Sequence, residues 1–229
     1  MPEMILQVEA VVNKGQFGNR LVTYLVACYH AKRLNAQLRT LPWIGECMFQ
    51  INDQRITAPA PAATKDDLLE GFNGARTVNA FYELDSELVV PAISRSHAQE
   101  VLVWQNNWLP DSMPILDVAI HRRRYRGESW PHLSIEHQLS EAESLGFKRE
   151  HCTLVGERPV APRYPWPFKF VDDFQLLLRS KVLFVYPSST FSMVAALLGH
   201  GRVFSAGGVG PLVDNRSYVE VDPSSSFPF

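Results

Sequence analysis

Apolar and polar positions alternate along the chain in short blocks that predict strands and helices in turn. Residues 5–12 are rich in valine and isoleucine and predict a strand. In residues 20–34 apolar side chains recur every three or four positions, which predicts a helix with a buried face. Residues 13–18 are predicted to form a turn between the two, with Asn19 as the N-cap of the helix.

The same alternation is more regular in the second half of the chain. Strands are predicted at residues 115–121, 152–157, 182–186 and 202–205, and helices at residues 134–145, 172–179 and 189–199. The hydrophobic pattern in the middle of the chain is weaker. It predicts helices at 65–72 and 94–104 and an exposed extended segment at 58–63. The turn-rich residues 110–114 predict a hinge.

These elements predict the α/β class, with parallel sheets that are covered by helices on both faces. We expect an N-terminal α/β half at residues 1–110 and a C-terminal Rossmann-like half at residues 111–229. In sheets of this kind, ligands bind beyond the carboxyl ends of the strands. The segments that directly follow strands are therefore where the chemistry is expected.

Composition narrows the function classes. The chain has 229 residues and a formal net charge of −2, so no nucleic-acid partner is expected and any anion site must come from a local cluster. No run of about 18 apolar residues is present, which predicts no integral membrane segment. Cys28, Cys47 and Cys152 form neither a disulfide nor a zinc pattern, so we expect a cytoplasmic location and no metal site.

Three segments that follow predicted strands carry residues suited to bind phosphate. The first, here called the glycine segment, is Gly15-Gln16-Phe17-Gly18-Asn19-Arg20. Its two glycines let backbone amides approach an anion, and the helix after it points its positive end at the same place. The spacing is neither that of the dinucleotide fingerprint nor that of a P-loop, so a plain strand-to-helix connection is an equal alternative.

The second, the arginine segment, is His121-Arg122-Arg123-Arg124-Tyr125-Arg126. Clustered arginines repel one another unless an anion offsets their charge, and each planar guanidinium matches two phosphate oxygens. A solvated basic loop is the alternative. The third, the serine segment, spans residues 186–199, where Ser188, Ser189 and Thr190 precede an apolar helix. One hydroxyl is enough to cap that helix, so three hydroxyls favour phosphate binding.

In this order the three segments resemble the motifs of the fucosyltransferase-like glycosyltransferases, which include α-1,2- and α-1,6-fucosyltransferases and protein O-fucosyltransferases. The glycine segment resembles G-x-[LF]-G-N-[QR]. The arginine segment is similar to H-x-R-R-G-D-Y, with the Gly-Asp pair absent. Residues 173–198 resemble the late segment, in which an acidic residue and a helix precede S-N-S-[ST]-F-S-W-W-A-A.

The resemblance implies a GT-B-like fold of two Rossmann-like halves, with the N-terminal half trimmed. It also implies inverting transfer of fucose from GDP-fucose to a hydroxyl of a glycan acceptor, with no metal and no other cofactor. The sequence has no D-x-D motif, and the nearest pattern, Asp85-Ser86-Glu87, is predicted to lie on the surface.

Roles for individual residues follow from the same resemblance. Arg123 is the expected diphosphate contact, and Arg122 occupies the variable position of the motif and is expected to face away. The donor-binding residues are expected to be Gly15, Gly18, Asn19, Arg20, His121, Arg124, Asp173, Ser188, Ser189, Thr190 and Phe191. A structural role at the strand end is the alternative for His121, and helix capping is the alternative for Asp172 or Asp173.

The general base is expected to be a carboxylate that removes the proton of the acceptor hydroxyl. Arg126 replaces the aspartate of the motif, and Glu128 is the candidate because a glutamate soon after the motif has this role in the α-1,6 relatives. An ion pair with Arg126 is the alternative for Glu128, and Glu46 and Asp53 are the alternative bases. Two other functions stay open: the same fold with another nucleotide sugar, and a non-catalytic module that binds one.

Overall fold

The computed structural model describes residues 3–9, 11, 16–105, 108, 114–122, 133–156, 169–186, 189–206 and 217–224. The chain divides into two compact units. The N-terminal unit is Met1–Leu109 with Ser224–Ser226, and the C-terminal unit is Pro110–Pro223 with Phe227–Phe229. The predicted hinge at residues 110–114 lies outside the described residues apart from Pro114.

The N-terminal unit contains a parallel sheet of four strands in the order β3-β2-β1-β4. The strands are β1 (Met4–Val8), β2 (Gln37–Thr40), β3 (Gln54–Arg55) and β4 (Gly74–Thr77). The chain leaves β1 toward β2 on one side, and β4 joins β1 on the other side. The carboxyl end of β1 is therefore the switch point of this sheet, where open α/β sheets bind ligands.

Four α-helices and three 3₁₀-helices pack around that sheet within the described residues. They are α1 (Phe17–Leu34), α2 (Lys65–Glu70), α3 (Ser86–Val89), α4 (Arg95–Val101), and the 3₁₀-helices Ile44–Cys47, Phe81–Glu83 and Val90–Ala92. The helices predicted at 65–72 and 94–104 are confirmed as shorter elements. The predicted extended segment is also confirmed, since Ala62 pairs with Thr77 beside β4.

Two buried histidines hold α1 against its neighbours. The Nε2 atom of His30 lies 2.9 Å from the carbonyl oxygen of Leu88, and that of His97 lies 2.9 Å from the carbonyl oxygen of Leu25. Tyr29 contacts both imidazoles edge to face. Burial lowers the pKa of both histidines because it disfavours the charged imidazolium.

The C-terminal unit has a five-stranded sheet in the order β6-β5-β7-β8-β9. Its elements are β5 (Val118–His121), α5 (Ile135–Ser144), a 3₁₀-helix (Arg149–His151), β6 (Cys152–Val155), α6 (Lys169–Leu178), β7 (Val182–Val185), α7 (Thr190–Leu198), β8 (Arg202–Ala206) and β9 (Tyr218–Val221). Every strand and helix predicted for this half is present. Among the described elements of this unit, β9, which is antiparallel to β8, and the 3₁₀-helix Arg149–His151 have no counterpart in the prediction.

Aromatic side chains from neighbouring strands form the centre of the core in the C-terminal unit. Phe184 of β7 and Phe204 of β8 stack with ring centroids 5.0 Å apart, and Phe147 meets both rings edge-on. Edge-to-face and offset-stacked pairs of this kind add to the stabilisation that burial supplies. The core thus fixes the strands whose carboxyl ends carry the candidate site.

The start of α1 differs from the prediction. The helix begins at Phe17, with Gln16 as its N-cap, and the amide of Arg20 already donates to the carbonyl of Gln16. Asn19 is therefore inside the first turn, and its prediction as the N-cap was wrong. Burial of Phe17 and Gly18 explains the earlier start, because a helical conformation places Phe17 in the core.

Candidate functional site

The sheet order of the C-terminal unit sets where a ligand can bind. From β5 the chain crosses to β6 on one side, whereas from β7 it crosses to β8 on the other side. The carboxyl ends of β5 and β7 therefore flank the switch point, where open α/β sheets hold their ligands. The two strands are adjacent and parallel, with Ile120 paired to Phe184. The arginine segment follows β5 and the serine segment follows β7, so both begin at this point.

Side chains of the two segments are in contact. His121, the last residue of β5, is buried, and its ring lies 5.6 Å from that of Phe191 at the start of α7. Tyr186, directly after β7, meets His121 edge-on at 6.3 Å. Phe191 also packs against Phe174 of α6 at 5.2 Å. The structure thus brings together His121, Phe191 and the helix that carries Asp173.

In the serine segment, side-chain hydrogen bonds to the backbone of the turn are made by Ser192 and not by the N-cap residue Ser189. Ser189 is the N-cap of α7, but its hydroxyl makes no capping hydrogen bond. The hydroxyl of Ser192 instead accepts from the amide of Tyr186 at 3.2 Å and donates to the carbonyl of Ser189 at 3.4 Å. Since Ser192 fixes the turn, the positive end of α7 faces the switch point without a capping hydroxyl from Ser189.

Asp172 and Asp173 both lie inside α6. Asp172 is buried in the first turn of the helix, whereas Asp173 is half-buried. Neither is an N-cap, so helix capping in that sense does not explain them. Phe174, the next residue, contacts Phe191 and places this part of α6 beside the serine segment.

A network of buried polar groups lies behind His121. The guanidinium of Arg122 donates to the carbonyl of Leu133 and, at 2.7 Å, to Oε1 of Gln138. The Nε2 atom of Gln138 donates to the Tyr218 hydroxyl at 2.9 Å and to the His121 carbonyl at 3.4 Å. Gln138 has no exposed surface, and burial raises the pKa of the Tyr218 hydroxyl above its ordinary value.

Gly156, directly after β6, permits the backbone to pass close to Arg122. Its φ is +93°, and a Cβ atom at this position would lie 2.6 Å from the carbonyl oxygen of Arg122. Side chains other than glycine are strained at such a φ, and the short distance adds a clash with backbone. The close approach is stabilised by the hydrogen bond from the amide of Arg122 to the carbonyl of Val155, at 2.8 Å.

In the N-terminal unit the glycine segment is helical from Phe17 onward. Gly18 is buried within α1, and Asn19 and Arg20 are half-buried. The carbonyl of Asn19 accepts from the hydroxyl of Thr23 at 2.9 Å, and that hydroxyl also accepts from the amide of Phe81 at 3.2 Å. These residues thus occupy the first turn of a helix that begins near the switch point of its sheet.

The two alternative bases have different surroundings. Asp53 is half-buried and accepts a hydrogen bond from the Tyr24 hydroxyl at 2.8 Å, and burial raises the pKa of its carboxyl. Glu46 instead forms a two-pronged ion pair with Arg55, at 2.5 and 2.8 Å. Both carboxylate oxygens of Glu46 are occupied by the guanidinium of Arg55, so Asp53 is better suited to general-base chemistry than Glu46.

Five predicted site residues lie outside the described residues: Gly15, Arg123, Arg124, Glu128 and Ser188. Among the residues that are described, no group of histidine, cysteine or acidic side chains is arranged to hold a metal ion. The carboxylates of Asp85 and Glu87, which make the nearest approach to a D-x-D pattern, are exposed and pair with Lys65. No helix in the described part of the chain is long and apolar enough to cross a membrane.

Sequence reasoning missed four residues that shape this site: Tyr186, Ser192, Gln138 and Gly156. Ser192 and Tyr186 lie within the serine segment at residues 186–199, so the segment that contains them could already be singled out from the sequence. Gly156 follows a predicted strand, where a glycine commonly marks a turn. Gln138 carries no such signal, because one glutamine in an amphipathic helix reads as a surface residue until the fold places it inside.

The chain is similar to several solved structures. It matches the fucosyltransferase NodZ from Bradyrhizobium with a TM-score of 0.56 at 11% identity, over 96% of this chain and 99% of that one. NodZ α-1,6-fucosyltransferase co-crystallised with GDP matches with a TM-score of 0.53 at 11% identity, over 96% of this chain and 99% of that one. FUT1 of Arabidopsis thaliana, an arginine-to-lysine mutant in complex with GDP, matches with a TM-score of 0.56 at 12% identity, over 100% of this chain and 76% of that one.

No protein-family profile matches the chain, and no curated protein sequence is significantly similar to it. The similarity to solved structures therefore concerns the fold. It confirms the predicted GT-B-like α/β architecture, with two Rossmann-like units built on parallel sheets.

Proposed function

We propose that this protein is a metal-independent, inverting glycosyltransferase that moves fucose from GDP-fucose to a hydroxyl of a glycan acceptor. The observation that carries the proposal is the contact between His121 and Phe191. It joins the start of the arginine segment to the start of α7 at the switch point of the C-terminal sheet. A basic segment and a helix N-terminus that meet at such a point make a favourable site for a diphosphate.

The diphosphate is the part of the donor that these groups recognise. When the bond between sugar and phosphate breaks, negative charge builds on the leaving GDP, and positive groups that stabilise this charge lower the barrier. Arg123 and Arg124 supply paired guanidinium donors, and Ser188, Ser189, Thr190 and the amides at the start of α7 bind the β-phosphate and the sugar side. The name of NodZ as a fucosyltransferase, together with its crystals with GDP, supports GDP-fucose as the donor.

The buried residues around the site hold the sugar and the nucleoside. The buried ring of His121 and the half-buried ring of Phe191 form an aromatic surface beside the phosphate groups. Asp173 of α6 accepts hydrogen bonds from the ribose or the guanine. The residues of the glycine segment, Gly15, Gly18, Asn19 and Arg20, are the proposed donor-binding residues of the N-terminal unit.

The acceptor hydroxyl must lose a proton as it attacks the anomeric carbon, and a carboxylate is the suitable base. Glu128 is the proposed base. Asp53 is the second candidate, supported by the raised pKa of its carboxyl, since a base whose pKa lies closer to neutral takes a proton more effectively.

Thermal-shift measurements with GDP-, UDP- and ADP-sugars in the presence of EDTA test this function. GDP and GDP-fucose should raise the melting temperature, and release of GDP from GDP-fucose should follow when acceptor glycans are added. Stabilisation by a different nucleotide sugar would show that this sugar is the donor, and the proposed reaction class would stay the same. Binding with neither hydrolysis nor transfer would make the protein a nucleotide-sugar-binding module, and stabilisation by none of these compounds would refute the proposal.

A further inference from the structure

We infer that Gln138 and Arg122 are positioning residues that hold the arginine segment in register with the donor, an inference that rests on the proposed function. Neither residue needs to touch the substrate for this role. Gln138 is fully buried in α5, and Arg122 is half-buried directly after His121. Their hydrogen bond, 2.7 Å from Nη1 to Oε1, joins α5 to the end of β5.

Arg122 ties together the two ends of the stretch that carries the proposed diphosphate ligands. Residues 123–132, which include Arg123 and Arg124, run from Arg122 to Leu133. The guanidinium of Arg122 donates to the carbonyl of Leu133, so the two flanking residues are held side by side. The ends of the stretch are thus fixed to each other and, through Gln138, to the helix that follows.

The same network fixes those ends to the rest of the candidate site. The amide of Leu133 donates to the Tyr186 hydroxyl at 3.4 Å, and Tyr186 is where the serine segment begins. The carboxamide of Gln138 also donates to the carbonyl of His121, whose ring packs on Phe191. The arginine and serine segments therefore share one set of buried hydrogen bonds.

The chemistry of Gln138 suits this role. A carboxamide accepts and donates at once, so it can accept from a guanidinium while it donates to a carbonyl and a hydroxyl. A leucine at this position would fill the space but would remove one acceptor of Arg122 and the donor to His121. A glutamate would keep the acceptor for Arg122, with a stronger charge-assisted bond, and would accept from the Tyr218 hydroxyl, but it would lose the donor to the His121 carbonyl.

Displacement of the arginine segment should affect turnover more than donor affinity. Diphosphate binding draws on several groups, whereas stabilisation of the leaving phosphate requires guanidinium donors at defined positions. A displacement of about 1 Å in a catalytic site can lower a rate about 100-fold. Loss of the Gln138 bonds should therefore lower kcat and leave the dissociation constant of GDP nearly unchanged.

The test measures kcat and KM for GDP-fucose, the dissociation constant of GDP and the melting temperature for a small set of variants. Gln138→Leu should lower kcat about 10- to 100-fold. The variant should still be folded at the assay temperature and should bind GDP with nearly the wild-type affinity. Gln138→Glu should restore most of the turnover. His30→Leu is the matched control: His30 is a buried polar residue of the N-terminal unit whose Nε2 atom lies 2.9 Å from the carbonyl oxygen of Leu88, and this variant should lose stability without this fall in kcat.

Arg122→Met provides a second route to the same answer if Gln138→Leu does not fold, because it removes the guanidinium and keeps an apolar stem. It should reproduce the fall in kcat. Wild-type kcat in either folded variant would overturn the inference, as would a Gln138→Glu variant no more active than Gln138→Leu, or a failure of both apolar variants to fold. Absence of GDP binding by the wild-type protein would instead refute the proposed function, so the two failures are distinguishable.

Discussion

Replacement of Gly156 by alanine should destabilise the C-terminal unit more than the same replacement at Gly146. The two glycines have nearly equal backbone angles, with φ of +93° at Gly156 and +89° at Gly146. Their surroundings differ. A Cβ atom at Gly156 would lie 2.6 Å from the carbonyl oxygen of Arg122, whereas a Cβ atom at Gly146 would have no atom within 4 Å. The pair therefore separates backbone strain from steric overlap.

The magnitudes follow from these two contributions. An alanine held at a left-handed backbone angle costs about 1–2 kcal/mol, and both variants bear this cost. Overlap with well-packed atoms adds about 1–3 kcal/mol, and only Gly156→Ala bears it, because the overlapping atom belongs to backbone that is itself hydrogen-bonded to Val155. The melting temperature of a chain of this size falls about 2–4 °C per kcal/mol, so the two variants should be clearly distinguishable.

Urea unfolding and scanning calorimetry on both variants measure this difference. Gly156→Ala should also lower turnover of the donor, since relief of the overlap moves Arg122 and with it the start of the arginine segment, while Gly146→Ala should not. Equal destabilisation by the two replacements would refute the close approach of Gly156 to Arg122. A large loss of turnover in Gly146→Ala would show that the effect of Gly156→Ala is not specific to the site.

Three further predictions concern charge and proton transfer. Arg123→Lys should lower kcat about 100- to 1000-fold at saturating donor, because an ammonium lacks the paired planar donors of a guanidinium. Arg202→Lys, which changes an exposed ion pair with Glu220, is the control and should be as active as wild type. Equal effects of the two replacements in a rate assay would contradict this prediction. Glu128→Gln should reduce transfer about 100- to 10,000-fold with unchanged GDP affinity by calorimetry, and a normal rate would place the base elsewhere. The pKa values of His30 and His97 are lowered in the folded protein, so their stability contribution is present above about pH 6.5 and is lost as the pH falls through the folded-state pKa values. The midpoint of urea unfolding should therefore fall from about pH 7 to pH 5. It should fall less when both histidines are replaced by glutamine.

The strands of the C-terminal unit could be predicted because buried parallel strands are continuous apolar runs. The β7 strand reads Val-Leu-Phe-Val, and all four residues are buried. The strands missed in the N-terminal unit lack that signal. The two residues of β3, Gln54 and Arg55, are both exposed, and β4 reads Gly-Ala-Arg-Thr. Pairing with β2 and β1 makes these residues strands, and pairing is a property of the fold that local sequence does not carry.

The candidate site divides in the same way. Residues with distinctive chemistry, such as His121 and the hydroxyls of the serine segment, could be found from sequence because they cluster directly after predicted strands. The contact between His121 and Phe191, which joins the two segments, depends on the strand order. It forms because β5 and β7, which are distant in sequence, are neighbours in the sheet. The supporting role of Gln138 depends on burial, and burial of one polar residue in a helix is decided by tertiary packing.

Isothermal titration of GDP-fucose into the protein, in buffer that contains EDTA, measures whether the protein binds this donor without a metal. We expect one binding site with a dissociation constant of about 1 μM to 1 mM, the usual range for enzyme substrates, and no comparable binding of UDP- or ADP-sugars. The affinity should not change when Mg²⁺ or Mn²⁺ replaces EDTA, because in the proposed site guanidinium groups and helix amides bind the diphosphate. No heat of binding for GDP-fucose, or binding only after a divalent metal is added, would contradict metal-independent binding of this donor.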